Sequence, residues 1–124
     1  MSISIPGHPL KSLEELRDAL QQFASERDWD QFHSPKNLAI ALSVEAAELL
    51  EHFQWTPEAD TAVLSTETHA KVREEIADVL LYLIRLADKL NINLLAAASD
   101  KIGVNAAKYP VDKARGSSKK YTEL

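Results

Sequence analysis

The stretch that decides the fold is residues 34–53, which read SPKNLAIALSVEAAELLEHF. Ser34 can cap a helix, and Pro35 suits its first turn, where a missing backbone N–H costs nothing. At 100° per residue, one stripe of this helix is apolar and is formed by Leu38, Ala41, Leu42 and Leu49. The pattern predicts an amphipathic helix that begins after Ser34 and runs to about residue 53.

Two carboxylates interrupt this apolar stripe. Glu45 and Glu48 fall inside it and are three residues apart, so their side chains share one face of the helix. A carboxylate on a stripe that faces the core is costly unless a partner compensates its charge. The helix therefore indicates that both side chains have a partner.

A second long helix, predicted over residues 67–90, repeats the feature. Its apolar stripe is formed by Val72, Ile76, Val79, Leu83, Leu86 and Leu90. Glu75 and Asp78 lie on one flank of that stripe, three residues apart, and Tyr82 follows one turn later. Four carboxylates facing a shared interior repel one another unless a cation neutralises them. Oxygen ligands favour hard ions, which predicts Mg²⁺, with Mn²⁺ as a substitute, and Mg²⁺ commonly completes its shell with substrate phosphates.

Two other interpretations of these acids stay open. A pair of glutamates three apart is common on a solvated helix face, and Glu51, Glu67 and Glu74 fit that description. The acids could instead belong to a salt-bridge network with Arg73 or Arg85. Either alternative would make the chain a non-catalytic helical protein that binds a protein partner.

Outward from these helices, the sequence predicts an all-α fold with four helices in a bundle. Ser12 and Glu15 form a capping box before a helix over about 13–27, and a last helix runs from about Asn93 until Pro110 stops it. The 124 residues suit one domain, predicted over 12–110. We expect residues 1–11 to be a flexible arm and residues 111–124 a polar, basic tail.

Composition excludes several classes of protein. The formal net charge of −5 argues against coating a nucleic-acid polymer, and the absence of cysteine excludes disulfides and thiolate metal sites. With 3 glycines, a glycine-rich phosphate loop is excluded. No stretch is long and apolar enough to cross a membrane, so we expect a cytoplasmic protein.

At the acidic pairs the chain resembles the MazG-like all-α NTP pyrophosphohydrolases, whose metal motif is two glutamates three apart, a spacer, then Glu-x-x-Asp. The chain matches it with Glu45-Ala-Ala-Glu48 and Glu75-Ile-Ala-Asp78. Within that superfamily it is most similar to the dCTP pyrophosphatases, on the stretches 26–33, 35–38, 53–55, 74–80, 109–111, 115–117 and 120–124. One departure is Leu20, where dCTP-specific relatives often carry a histidine, so the substrate preference could be shifted.

The resemblance implies a role for each matching position. The Mg²⁺ ligands would be Glu45, Glu48, Glu75 and Asp78. The nucleotide pocket would be lined by Trp29, Asp30, Gln31, Phe32, His33, Trp55 and Tyr82. Cationic and amide groups on the last helix would be Lys101, Asn105 and Lys108. The family also implies homodimers that pair into tetramers.

The chemistry of these residue types leads to a mechanism. We expect water to attack the α phosphorus of a nucleoside triphosphate, giving the monophosphate and pyrophosphate, with Glu48 or Glu45 orienting or deprotonating the water. Trp29 and Trp55 suit base stacking, whereas His33, Asn37 and Gln54 are candidates for the base edge. The last-helix cations and amide suit the outer phosphates. The expected substrate is dCTP; the alternatives are a broader (d)NTP range or phosphoribosyl-ATP.

Some apolar residues lie beyond the predicted core face. They are Leu80, Leu81 and Ile84 on the third helix and residues 94–98 on the fourth. A four-helix monomer would leave part of this surface exposed, so the sequence predicts a self-associating chain.

Overall fold

The computed structural model describes residues 9–124, apart from the side chain of Ala59. The part of the predicted arm formed by residues 1–8 lies outside the described residues. Within residues 9–124 every regular element is helical, which confirms the all-α prediction. The five α-helices are α1 (Leu13–Glu26), α2 (Pro35–Glu51), α3 (Thr66–Lys89), α4 (Leu94–Lys108) and α5 (Val111–Ala114). Single 3₁₀ turns occupy Asp30–Phe32, Glu58–Asp60 and Tyr121–Glu123.

Polar side chains set the beginning of each long helix. The hydroxyls of Ser12, Ser34 and Ser65 accept the backbone N–H three residues later at 3.0, 3.1 and 3.1 Å. The Asn93 side chain does the same for α4 at 2.9 Å. Each bond satisfies a donor that the first helical turn leaves free. The predicted starts are therefore confirmed to within a residue or two.

The chain forms two compact units, one ending at Asn91 and the other spanning Ile92–Leu124. In the first unit, α2 packs extensively on α3, and α1 packs on α3 over a smaller area. At about 1.5 Å per residue, α2 is about 26 Å long and α3 about 36 Å long. The core of this unit is small and consists of Ala24, Leu38, Val72, Ile84 and Ala87.

The predicted core stripe of α3 is partly wrong. The stripe predicts Ile76, Leu83 and Leu90 in the core, but they are 54%, 39% and 49% exposed. Ile84 was expected beyond the core face but is 3% exposed. The reason is that α3 is apolar around much of its circumference, so periodicity alone cannot tell which apolar side meets α1 and α2.

The second unit contains α4, α5 and the turn at Tyr121–Glu123. The rings of Tyr109 and Tyr121 meet edge to face with centroids 6.1 Å apart, and the Lys108 ammonium lies 4.8 Å from the Tyr121 centroid. Gly116 turns the chain between them with a φ of 74°, a backbone conformation that glycine adopts without strain. Residues 111–124 thus fold back on the end of α4.

Among the described helices, none combines the length and the apolar composition that a membrane span requires.

Candidate metal centre

Three carboxylates from two helices meet in the first unit. Glu45 and Glu48 extend from α2 and Glu75 extends from α3, and each offers one oxygen within 4.8 Å of the others. The two α2 glutamates share a face because they are three residues apart, and the α2–α3 packing brings Glu75 opposite them. Ligand oxygens bound to one divalent cation lie at comparable separations. The arrangement therefore fits a hard cation.

Two oxygens of this cluster have no partner. Glu45 Oε2 and Glu75 Oε2 are buried, and neither makes a hydrogen bond in the described part of the chain. A buried carboxylate oxygen without a donor is costly in a folded protein. A cation held between the two helices would remove that cost, which is the strongest structural indication that the cluster binds metal.

The electrostatics of Glu45 agree with this geometry. Burial, the close approach of the Glu75 and Glu48 carboxyl groups, and the charges of Glu48 and Asp78 together raise the pKa of Glu45 from 4.5 to about 7. Carboxylates that crowd one another share a proton near neutral pH when no cation is bound. A divalent cation would displace that proton and let all of the carboxylates ionise.

Asp78 lies one turn farther along α3 and is outside the group of three. It is half-buried, and its charge contributes to the raised pKa of Glu45, so it faces the same region. An aspartate side chain is one methylene shorter than a glutamate and stays nearer its own helix. Tyr82 follows on α3 and is half-buried as well.

Arg85 does not pair with the carboxylate cluster. Its guanidinium forms a short ion pair with Asp30 and lies 3.6 Å from Asp88 Oδ2, while its Nε–H donates to His33 Nδ1 at 3.1 Å. The alternative in which Arg85 neutralises the cluster is therefore wrong. Arg73, the other cation considered, makes no ion pair among the described residues and is exposed.

The segment that follows α1 is held against α3 through Asp30. Besides Arg85, Lys89 Nζ bonds Asp30 Oδ1 at 3.1 Å. This bond and the neighbouring cations lower the pKa of Asp30. An open depression of about 450 Å³ lies over Arg85, Asp88 and Lys89. None of the three clustered carboxylates lines it, so this depression is not the metal centre.

The predicted pocket residues between α1 and α2 differ in what they contact. Trp29 is 43% exposed and Phe32 59% exposed. Gln31 donates to the Asp28 carbonyl and carboxylate, both at 3.0 Å, and the Asn37 amide donates to the Phe32 carbonyl at 3.0 Å. These two amides therefore stabilise the loop itself, whereas the two aromatic rings remain available to a ligand.

Trp29 is part of a row of rings. Its centroid lies 5.6 Å from Phe23 and 6.2 Å from His33, both in edge-to-face contact. The Arg27 guanidinium covers the Phe23 ring at 3.6 Å. Trp55, in the connection between α2 and α3, is 87% exposed and makes no ring contact within the described residues. An exposed tryptophan without a partner suits contact with a ligand.

The predicted phosphate-binding residues all lie in the second unit. Lys101 and Asn105 are exposed on α4, one turn apart. Lys108 is half-buried on the same helix with its ammonium over Tyr121. Within that unit, Lys101 and Asn105 are thus available to a ligand, and Lys108 already has an aromatic partner.

Sequence reasoning missed the role of Arg85. Its signal was a charged residue between Ile84 and Leu86 on an apolar stretch of α3, where it is 5% exposed. A charge at such a position needs partners; Asp88 on the same helix is one, and the other two come from 52 and 55 residues earlier in the chain. Spacing along one helix could have identified Asp88 but not the two distant partners.

Comparisons with known proteins show the family to which this chain belongs. A MazG-like family model matches residues 40–124, which include both acidic pairs. The chain is 43% identical to dCTP pyrophosphatase 1 of Homo sapiens over 118 residues, 94% of this chain and 69% of that protein. The corresponding protein of Rattus norvegicus is 42% identical over the same shares. The crystal structure of a pyrophosphatase from Archaeoglobus fulgidus DSM 4304 is 44% identical, with a TM-score of 0.72, over 85% of this chain and 98% of that one. Because the family model covers more than half of the chain and includes both acidic pairs, this protein belongs to the MazG-like family.

Proposed function

We propose that this protein is a nucleoside triphosphate pyrophosphohydrolase that converts dCTP into dCMP and pyrophosphate in the cytoplasmic nucleotide pool. The observation that carries the proposal is the cluster of Glu45, Glu48 and Glu75 with two buried, unpartnered oxygens. The relatives named dCTP pyrophosphatase 1, at 42–43% identity, support the substrate. Clearing unwanted nucleotides is the role that fits such an activity.

The proposed cofactor is Mg²⁺, with Mn²⁺ as a substitute. Carboxylate oxygens are the ligands that these hard ions prefer, and the ligands would be Glu45, Glu48, Glu75 and Asp78. When bound, such an ion neutralises charge on the phosphates and lowers the pKa of water. The three clustered carboxylates suit this role because α2 and α3 already bring their oxygens within 4.8 Å of one another.

The chain's own carboxylates supply the proton acceptor. In the proposed reaction a water oxygen bonds to the α phosphorus, and the bond from that phosphorus to the bridging oxygen of pyrophosphate breaks. The water proton passes to a carboxylate, for which Glu48 is the candidate, with Glu45 as its neighbour on α2. The electron pair of the broken bond leaves with pyrophosphate.

The proposed base site uses the rings near α2. Trp29 and Trp55 are the stacking candidates because both are exposed. Phe32 and Tyr82 would add apolar contact, and His33 would contact the base edge. Three further residues already bond within the protein: Asp30, Gln31 and Asn37. We propose that they hold the loop that forms the site and do not contact the base.

For the phosphates we propose Lys101, Asn105 and Lys108, because ammonium and amide groups pair with phosphate oxygens. The catalytic domain in this proposal is residues 12–110, followed by the basic tail 111–124.

We also propose that the chain works as a homodimer that pairs into a tetramer. On α2, Ile40, Val44 and Leu50 are 53%, 51% and 60% exposed, and Ile76 on α3 is 54% exposed. Apolar side chains exposed in such number favour a second copy as the partner. Light scattering during gel filtration measures the mass, and a purely monomeric chain at micromolar concentration would contradict this part.

The test of the activity is pyrophosphate release from each of the common NTPs and dNTPs, with and without Mg²⁺. We expect metal-dependent release, fastest from dCTP. Glu48→Gln should abolish it, whereas Glu51→Gln, an exposed glutamate at the end of the same helix, should not. Phosphoribosyl-ATP is included because a preference for it would replace the proposed substrate. No release from any nucleotide with Mg²⁺ or Mn²⁺ would refute the proposal.

A further inference from the structure

Arg85 is a charged residue in the core of the first unit. It lies on α3 and is 5% exposed. Among residues 9–124 no other charged side chain is buried. One of its hydrogen-bond partners is the imidazole of His33, whose Nδ1 accepts the Arg85 Nε–H at 3.1 Å. We infer that Arg85 is a positioning residue of the nucleotide pocket, which holds His33 in the tautomer that offers an N–H donor to the nucleotide. This inference rests on the proposed function.

The direction of the hydrogen bond determines the tautomer. A guanidinium Nε carries a proton and can only donate, so the Nδ1 that receives it must be unprotonated. A neutral imidazole has one N–H, which then sits on Nε2. His33 Nε2 makes no hydrogen bond to any part of the chain that the structure describes. The free edge of the ring is therefore a donor.

The charges around His33 keep the ring neutral. Burial and the guanidinium of Arg85 lower the pKa of His33, with a smaller contribution from Lys89. The carboxylate of Asp30 acts in the opposite direction. At neutral pH the ring therefore has the single N–H that the geometry assigns to Nε2, and not the two of an imidazolium.

The same contacts connect Arg85 to the stacking ring. His33 lies edge to face with Trp29 at 6.2 Å, so a fixed His33 limits how far the indole can turn. The ion pairs of Asp30 with Arg85 and Lys89 fix the 3₁₀ turn between the two rings. One buried side chain thus sets the orientation of a base-edge candidate and supports the ring next to it.

Arg85 lines the open depression above α3, but its guanidinium is already engaged by side chains of the protein. Its guanidinium is shared between Asp30 and Asp88, and Asp88 also accepts from the Gln21 amide at 2.7 Å. A side chain with its donors engaged and 5% of its surface exposed acts through its neighbours. The ligand of the His33 donor must carry an acceptor, which is either a carbonyl oxygen or ring nitrogen of the base or a phosphate oxygen.

The first test reads the tautomer directly by two-dimensional ¹H–¹⁵N correlation of the histidine rings in the full-length protein. We expect His33 with its proton on Nε2 in the wild type and a mixture of tautomers in Arg85→Lys. Arg73→Lys, the same exchange at an exposed position of α3, should leave the His33 signals unchanged. A wild-type ring protonated on Nδ1 overturns the inference, and this reading holds even if the Arg85 variant does not fold.

The second test asks whether Arg85 acts through His33 in catalysis. Loss of one oriented hydrogen bond should raise the KM for dCTP about fivefold in Arg85→Lys, with kcat nearly unchanged. In a His33→Ala background the same exchange should have no further effect, because the ring that Arg85 orients is gone and a lysine can keep the ion pair with Asp30. Additive effects of the two substitutions on KM overturn the inference.

Competition experiments identify which part of the nucleotide accepts the hydrogen bond from His33 Nε2–H. Deoxycytidine carries the base without phosphates, and inorganic tripolyphosphate carries phosphates without the base. Weaker inhibition of Arg85→Lys by deoxycytidine assigns the acceptor to the base, and weaker inhibition by tripolyphosphate assigns it to a phosphate. Unchanged inhibition by both overturns the inference. A wild type that cleaves no nucleotide refutes the proposed function instead, and the ring spectra then still decide whether Arg85 fixes His33.

Discussion

Lowering the pH should weaken divalent-metal binding through the protonation of Glu45. Burial, the close approach of the Glu75 and Glu48 carboxyl groups, and nearby negative charges raise the pKa of this side chain to about 7. The cation needs ionised ligands, so it competes with a proton that the cluster holds near neutral pH. We therefore expect metal affinity to fall over a pH range where an ordinary glutamate remains ionised.

The expected loss of metal affinity follows from the pKa of Glu45. With a value of about 7, Glu45 is about three-quarters ionised near pH 7.5 and about one-thirtieth ionised near pH 5.5. Affinity for Mg²⁺ should therefore drop about 25-fold between these two conditions, which is about 2 kcal/mol. A glutamate with its ordinary pKa of 4.5 would change the affinity by only about 10%.

Isothermal titration calorimetry with Mg²⁺ or Mn²⁺ measures this change. Titrations in buffers of different ionisation enthalpy also count the protons released, and we expect close to one per metal near pH 6. Glu45→Gln should bind metal weakly with little dependence on pH. Glu51→Gln, which alters an exposed glutamate of the same helix, should behave as the wild type.

An affinity that stays within about twofold from pH 5.5 to 7.5, without proton release, would refute the reasoning. It would mean that Glu45 is ionised in the metal-free protein, and hence that the crowding of the three carboxylates does not hold a proton. Strong binding by Glu45→Gln would refute it in another way, since the metal would then lie elsewhere.

Four further outcomes are expected. Without metal, the contribution of Glu45 to the free energy of unfolding should fall by about 1–3 kcal/mol as pH rises from 4.5 through about 7, because its pKa is raised in the folded state. Urea unfolding at the two ends of this pH range measures the change. Glu48→Gln should lower kcat about 100-fold or more in pyrophosphate release, whereas Glu74→Gln, exposed on α3, should keep it. Trp55→Ala should raise the KM for dCTP about fivefold or more, while the free energy of unfolding changes by less than about 0.5 kcal/mol because the ring is 87% exposed. Leu38→Ala should cost about 2–4 kcal/mol in chemical denaturation, because Leu38 is 1% exposed, and an unchanged midpoint would mean that α2 is not packed there.

The sequence was sufficient for the helices because their ends carry chemical signals. Ser12, Ser34, Ser65 and Asn93 each cap a helix through a side-chain hydrogen bond, and such bonds depend on neighbours in the chain. The meeting of Glu45, Glu48 and Glu75 was predictable for a related reason, since acids on an apolar stripe need one another or a cation.

The depth of burial and the distant ion pairs could not be read in this way. Periodicity places Ile76 and Ile84 on α3 but does not say that the first is 54% exposed and the second 3%. Two partners of Arg85, Asp30 and His33, come from a segment more than fifty residues earlier, and only the packing of that segment on α3 brings them to Arg85. The local sequence pattern determines where the helices form, whereas tertiary contacts determine which polar side chains pair.

The placement of the two tryptophans determines what the intrinsic fluorescence of this protein can report. Trp29 and Trp55 are 43% and 87% exposed, and the sequence contains no other tryptophan. Emission from solvated indoles changes little in wavelength when a protein unfolds, so a fluorescence melt would underestimate the loss of structure, and helical circular dichroism is the better probe. Conversely, stacking of a base on either ring would quench the signal, which makes the unlabelled protein its own optical sensor for nucleotide titrations.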